Sequence, residues 1–313
     1  MELKMAKILN FGSLNIDYVY SVDHIIKPGE TQGSDDRNIF PGGKGLNQSV
    51  AASKAGAEVY HAGAVGTDDG QLLEDVLKNA GVKLDYLKRH NVPSGHTIIQ
   101  VDKNGQNCII LFGGANHSLR RDEIDETIAC FDKGDLLVLQ NEVNELDYIM
   151  RNGAEHGMKI AFNVSPFKEE LLKLPLEKCT YLLVNEIEAA GIAGISSDSS
   201  ADELLQKLNE KLPDSTIIMT LGTRGSVYKE PNKEPIKCGC FKVKAVDSTG
   251  SGDTFTGFLL TALTEGQPVE KAMRLAACAA AISVTRNGAA SSIPSREEVE
   301  NSDLFKTEPV FKG

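Results

Sequence analysis

Residues 180–190, TYLLVNEIEAA, change character at their centre. The first part, TYLLVN, is a short apolar run of strand length, and from Glu186 onward the residues open a helix. The run lacks the polar alternation of a half-solvated strand, as expected when both faces are covered. The same pattern recurs in both directions along the chain. Residues 6–12 (AKILNFG), 59–66 (VYHAGAVG), 135–140 (DLLVLQ), 158–164 (MKIAFNV) and 215–220 (STIIMT) read as further buried strands. Residues 70–81, 144–157 and 201–212 have helical periodicity with polar faces. This alternation predicts an α/β fold: a doubly wound, mostly parallel sheet flanked by helices. Ligands of such sheets bind beyond the carboxyl ends of the strands.

Two segments break the rhythm. Residues 17–43 and 95–114 alternate like exposed antiparallel strands with no helix between them, the second with a turn at Lys103-Asn104-Gly105. They predict a small β-sheet lid, with strands inserted at about 16–40 and 95–113 into one domain spanning residues 1–313. An uncovered sheet edge there calls for a partner, or for a site to cover.

The 313 residues suffice for one large domain, and a charged fraction of 25% with 41% hydrophobic residues is ordinary for a soluble protein. A formal charge of −11 argues against a nucleic-acid partner. The opening MELKMAKILNFG leads straight into a strand without the apolar core of a signal peptide. No apolar run approaches the roughly 20 residues of a membrane span, so the expectation is cytoplasmic. Six scattered cysteines, only Cys238 and Cys240 close together, read as reduced thiols, and no zinc site is expected.

Residues 245–255, AVDSTGSGDTF, raise the chemical question. The preceding CFKVKAV alternates like a strand, and Phe255, Phe258, Leu259, Ala262 and Leu263 recur at helical spacing. Residues 249–252 then form a small-residue turn that places Asp253 in a helix's first turn, where unpaired N–H groups attract anions. A carboxylate there suits a general base, taking a proton from a hydroxyl while Gly250, Ser251 and Gly252 hold the phosphoryl group under attack. A plain helix cap is the other reading, and this stretch alone leaves both open. A Rossmann fingerprint fails because Phe255 stands where glycine is needed; a Walker loop fails because no lysine follows either glycine.

Other candidate ligand holders follow the remaining strands. Asn15 and Asp17 share one side of an extended chain after the first strand and suit polyol hydroxyls. Gly42, Gly43 and Gly45 surround Lys44, with Asn47 in the helix that follows. Glu142 closes DLLVLQNE. Asn185 and Glu188, three apart at a helix start, suit a hydrated magnesium. Gly222, Thr223, Arg224 and Gly225 end another strand and suit phosphate oxygens. Each has a bland reading as turn or cap. Their convergence at strand ends is the inventory of phosphoryl transfer from a nucleotide to an alcohol.

These motifs resemble those of the ribokinase (PfkB-type) family of sugar kinases almost end to end. GSLNID resembles its opening motif, GGKGLNQSVA and DSTGSGDTFTG its signatures, NEIEA its magnesium-associated element, TLGTRG its nucleotide loop, and FGGAN the segment leaving the lid. The resemblance implies ATP-dependent transfer of a phosphoryl group to O5 of D-ribose, the alternatives being another sugar, a nucleoside, or a non-catalytic sensor. It implies Asp253 as base and Gly250, Ser251 and Gly252 as anion hole. Asn15, Asp17, Gly43, Lys44, Asn47 and Glu142 would hold the sugar. Asn185 and Glu188 would organise Mg-ATP through water, and Thr220, Gly222, Arg224 and Gly225 would line the nucleotide. Asp247, Thr249, Ser283, Arg286, Gly288 and Ser292 match a potassium site, and the lid would pair two subunits as a homodimer. The chain departs from the family pattern at NVSP (163–166), at the shortened GTDDG (66–70), and at Cys278, which stands where the adenine edge often meets histidine or asparagine.

Overall fold

The computed structural model describes residues 6–312; the opening residues 1–5, read above as leading into the first strand, lie outside the described residues. Among the described residues thirteen strands form two sheets. They are β1 (Ile8–Phe11), β2 (Asn15–Ser21), β3 (Asp36–Gly42), β4 (Val59–Gly66), β5 (Lys83–His90), β6 (Gly95–Val101) and β7 (Asn107–Phe112). Then follow β8 (Leu136–Gln140), β9 (Lys159–Asn163), β10 (Tyr181–Asn185), β11 (Thr216–Thr220), β12 (Ser226–Lys229) and β13 (Ile236–Cys238). The helices are α1 (Lys44–Lys54), α2 (Gln71–Asn79), α3 (Arg121–Ile128), α4 (Leu146–Glu155), α5 (Glu186–Ala193), α6 (Ala201–Lys211), α7 (Ser251–Thr264), α8 (Val269–Ser283) and α9 (Arg296–Asn301).

The main sheet runs β13-β12-β11-β10-β9-β8-β1-β4-β5, parallel from β11 to β5 and antiparallel at β12 and β13. Alternate residues of each strand feed opposite cores, because successive strand side chains point to opposite faces. Ile8, Leu136 and Val138 pack with α1, α2, α7, α8 and α9. Leu9, Leu137 and Leu139 pack with α3, α4, α5 and α6. This is the doubly wound arrangement that the apolar strands required.

The second sheet runs β3-β2-β6-β7. The β2/β3 and β6/β7 pairs are antiparallel as expected, but the two halves join through a parallel β2/β6 pair, so this sheet is mixed. The turn closes where expected, with Gly105 at φ 79° and its N–H donating to Asp102 O at 2.9 Å. Both faces of this sheet carry exposed apolar side chains: Ile109 is 54% and Ile110 60% exposed.

One expected strand is absent. Residues 240–246 form no ladder beyond an isolated bridge between Cys240 and Val310. The N–H groups of Val246 and Asp247 instead donate to Val284 O, at 2.7 and 3.2 Å. The segment is laid along a cavity rim, with Phe241 buried, Lys244 exposed, and Lys242 exposed while also lining the cavity. Among the described residues no helix is long and apolar enough to cross a membrane.

Candidate active site

The site gathers where parallel strands end. Helix α1 starts hard against the chain leaving β1: a Cβ on Gly45 would sit 2.4 Å from Gly12 C and Ser13 N. At Gly43 the backbone adopts φ 96°, which favours glycine. Helix α7 comes equally close to α1, since a Cβ on Gly257 would meet Ala51 Cβ at 2.5 Å. These small-residue contacts set the α1 amides against the first turn of α7.

Asp253 occupies that turn and is buried. Its Oδ2 accepts from Asn47 Nδ2 at 3.0 Å and its Oδ1 from Gln48 Nε2 at 2.9 Å. Neither bond is a capping interaction of its own helix, so the cap reading does not describe this carboxylate. It is gripped from another helix at a defined orientation. Gly250 precedes α7 at φ 72°, and at the start of the helix the Ser251 N–H makes a long bond of 3.3 Å to Ser248 O. Gly252 has ordinary helical backbone, and a Cβ there would meet no atom within 4 Å.

On one side of this loop lies a cavity of about 690 Å³ whose lining includes Thr220, Gly222, Gly225, Phe241, Ser251 and Gly252. That volume is typical of a small-molecule site. Gly225 needs its glycine for another reason: at φ 119°, a Cβ would sit 2.3 Å from Cys238 O. Arg224 does not line the cavity and is ion-paired with Glu186 at the helix start beside it. Cys278 is also turned away: it is buried and approaches Ser302 Oγ at 3.7 Å. The cavity instead meets Ala277, Ala280 and Ala281 of α8 and its C-cap Val284, at helical spacing, and Cys278 lies about 100° round that helix from Ala277. The departure from the family pattern at Cys278 thus falls on a residue outside that lining.

On the other side stand the polyol candidates. Asp17 is mostly buried, which pushes its carboxyl above the usual range against an opposing 2.5 Å bond from Thr97 Oγ1. Asn116 is locked to the backbone, accepting from Leu14 N at 2.9 Å and donating to Leu14 O at 3.2 Å. It also donates to Asn15 Oδ1 at 2.8 Å, which leaves the Asn15 amide nitrogen to present its hydrogens. Glu142 accepts from Ser13 Oγ and, at 3.2 Å, from Lys44 N; burial raises its carboxyl nonetheless. Burial disfavours the Lys44 charge, but Asp253, Glu142 and Glu188 outweigh it and hold the ammonium protonated. Asn47 Oδ1 is buried without a hydrogen-bond partner among the described residues. Buried acceptors are seldom left so, and this one adjoins Asp253.

The cation candidates form two oxygen-rich groups. Asn185 and Glu188 make a reciprocal capping box, Asn185 Oδ1 accepting from Glu188 N at 2.9 Å and Glu188 Oε2 from Asn185 N at 2.8 Å. Glu188 also acts electrostatically on Lys44, so its charge bears on the site. The Asp247 carboxylate accepts from Thr249 N at 2.9 Å, Thr249 Oγ1 at 2.6 Å and Gly288 N at 2.9 Å. Burial opposes its charge, yet these donors hold the carboxyl below its ordinary value. Ser283 and Ser292 are buried nearby in sequence to Gly288, whereas the Arg286 guanidinium pairs outward with Glu298. The motif-based reading missed Asn10, Gln48, His61, Thr97, Asn116 and Gln140, all polar and buried or nearly so. A buried polar residue inside an apolar strand or small-residue helix was the available signal.

The chain belongs to the pfkB family of carbohydrate kinases, whose model matches residues 5–296. Among its relatives, the ribokinase of Haemophilus influenzae is 34% identical over 304 residues, covering 94% of this chain and 97% of that one. The ribokinase structure from Thermotoga maritima is 36% identical with a TM-score of 0.81, covering 96% of this chain and 100% of that one. The Arabidopsis thaliana ribokinase complexed with ribose and ATP is 28% identical with a TM-score of 0.85, covering 97% of this chain and 99% of that one.

Proposed function

We propose that this chain is an ATP-dependent ribokinase, which transfers the γ-phosphoryl group of ATP to O5 of D-ribose and yields ribose 5-phosphate and ADP. The observation that carries the reading is Asp253, buried and held through both oxygens by Asn47 and Gln48, at the junction of the cavity and the polyol-binding side chains. Asp253 takes the proton of the O5 hydroxyl as O5 bonds to the γ-phosphorus. The bond from that phosphorus to the β–γ bridging oxygen breaks, and ADP departs with the electron pair. Gly250, Ser251 and Gly252 offer N–H groups at the start of α7 to the charge that develops.

Asn15 donates to sugar hydroxyls while Asp17 and Glu142 accept from them, and Asn47 Oδ1 gains the donor it lacks. Gly43 lets the sugar approach the backbone, and Lys44 supplies positive charge. The adenosine and phosphates fill the cavity along Thr220, Gly222 and Gly225, with Arg224 and Glu186 closing the adjacent loop. Asn185 and Glu188 would hold magnesium through water, and the oxygens around Asp247, Thr249, Ser283, Arg286, Gly288 and Ser292 would hold potassium. Bound there, the cations supply charge that offsets the triphosphate. The second sheet acts as a lid over the sugar, in a single domain, and its exposed β7 side chains pair with a second copy as a homodimer. The protein works in the cytoplasm.

The test is a coupled ADP-release assay with Mg-ATP and potassium across pentoses, 2-deoxyribose, hexoses and nucleosides. Strong preference for ribose is expected. Turnover on another sugar would replace the substrate and keep the chemistry. Sugar binding without turnover on any of them would mean a sensor.

A further inference from the structure

Behind Asp253, beyond its contact with Gln48, lies a file of buried polar side chains that takes no part in the mechanism above. We propose that Gln48 is a positioning residue for Asp253, locked donor-first against Oδ1 by a directional chain of hydrogen bonds, so that Oδ2 is the atom that receives the substrate proton. The proposal rests on the reading of Asp253 as the base.

The direction follows from groups that can only accept. Asn10 Nδ2 lies 2.9 Å from Gly45 O and 2.8 Å from Ser49 Oγ. A backbone carbonyl has no hydrogen to give, so the Asn10 amide nitrogen must face Gly45 and its Oδ1 must face the other way. There Gln140 Nε2 donates to Asn10 Oδ1 at 3.0 Å and to Gln48 Oε1 at 2.8 Å. Both hydrogens of that nitrogen are then engaged. With its oxygen occupied by Gln140, the Gln48 amide can turn only its nitrogen to Asp253, and it lies 2.9 Å from Oδ1.

The far end is fixed in the same way. His61 Nε2 is 3.2 Å from Gly12 O, which requires a hydrogen on Nε2. Nδ1 therefore accepts from the Ser49 hydroxyl at 2.8 Å, and Ser49 Oγ is left to accept from Asn10. Complete burial keeps the ring neutral, with its pKa pushed down to about 4.

One atom bears the cost of this order. Gln140 Oε1 is buried without a hydrogen-bond partner among the described residues. Reversing that amide would set an oxygen against two acceptors, so the unsatisfied carbonyl is the lesser penalty. The chain thus places a donor, never an acceptor, behind the base. A donor there holds the plane of the carboxylate. Asp253 Oδ2, bonded to the sugar-side Asn47, remains for the hydroxyl proton.

Gln48→Met removes the donor while keeping side-chain length, and Gln140→Met keeps Gln48 but frees its amide to turn. The charged groups that act on Asp253, Lys44 and Glu142, are untouched by either change. In Gln48→Met plateau kcat should fall about tenfold, with KM for ribose little changed. Gln140→Met should lower kcat the same way by less. A purely structural role would lower the melting temperature and leave kcat per folded molecule in place. If Gln48→Met does not fold, Gln140→Met decides. An unchanged kcat in a folded variant overturns the positioning role, provided Asp253→Asn is inactive. Turnover by Asp253→Asn would instead overturn the base itself.

Discussion

Replacing Gly252 with alanine should stabilise the protein and disable it. The position lies in the first turn of α7 with ordinary helical backbone, and a Cβ would meet no protein atom within 4 Å. Nothing in the folded chain therefore requires glycine. Alanine restricts the unfolded chain and favours helix, worth about 0.5–1 kcal/mol, or roughly 1–3 °C in melting temperature for a chain of this length. The added methyl group nevertheless enters the space beside the leading N–H groups, where the transferred phosphoryl group must sit. Alanine keeps its N–H, so the effect comes from blocked approach to it; denying one donor of such a hole costs on the order of 100- to 1000-fold in kcat. Thermal denaturation and the ADP-release assay, run on one preparation, measure both effects. A more stable enzyme with kcat reduced at least 100-fold is expected. Unchanged kcat would refute the anion hole, and lost stability would refute the claim that only the ligand demands glycine. Gly250→Ala is the contrast: at φ 72° and 3.1 Å from Ala289 Cβ, it should cost about 1–2 kcal/mol in folding.

Asp253→Asn should retain ribose affinity within a few-fold, by calorimetry, while kcat falls by roughly 100- to 10,000-fold. His61 makes folding pH-dependent. The unfolded chain takes a proton near 6.5 but the folded ring only near 4, so its stability is complete above pH 6.5 and lost as pH falls towards 4. The loss is about 3 kcal/mol, and urea denaturation between pH 4 and 7 should show it diminished in His61→Gln. Ile110→Asp, on the outermost strand of the second sheet, should convert dimer to monomer in sedimentation velocity; an unchanged species would place the interface elsewhere.

Strand and helix identities were legible because they depend on local periodicity, and strands such as Leu136–Gln140 and Tyr181–Asn185 form where the apolar runs predicted. The glycine loops were legible too, since a small-residue turn leading a helix announces close approach to something. Periodicity misled at residues 240–246, where the segment follows a cavity rim rather than a ladder. It also could not show that Arg224 is committed to Glu186, or that Cys278 turns towards Ser302.

By itself, then, the sequence determined the layered α/β architecture, the carboxyl-end location of the site and the presence of Asp253 in a helix's first turn. All of these follow from backbone geometry repeated over a few residues. Only the tertiary structure decided what holds that carboxylate. Gln48 and Asp253 are 205 positions apart, and Gln140 and Gln48 are 92 apart. Their meeting depends on how closely α1, α7 and the strand ends can pack, which Gly45 and Gly257 permit by lacking a side chain. Hydrogen-bond direction in that file is set by the backbone carbonyls of Gly12, just after β1, and Gly45, in the first turn of α1, a constraint no local pattern carries.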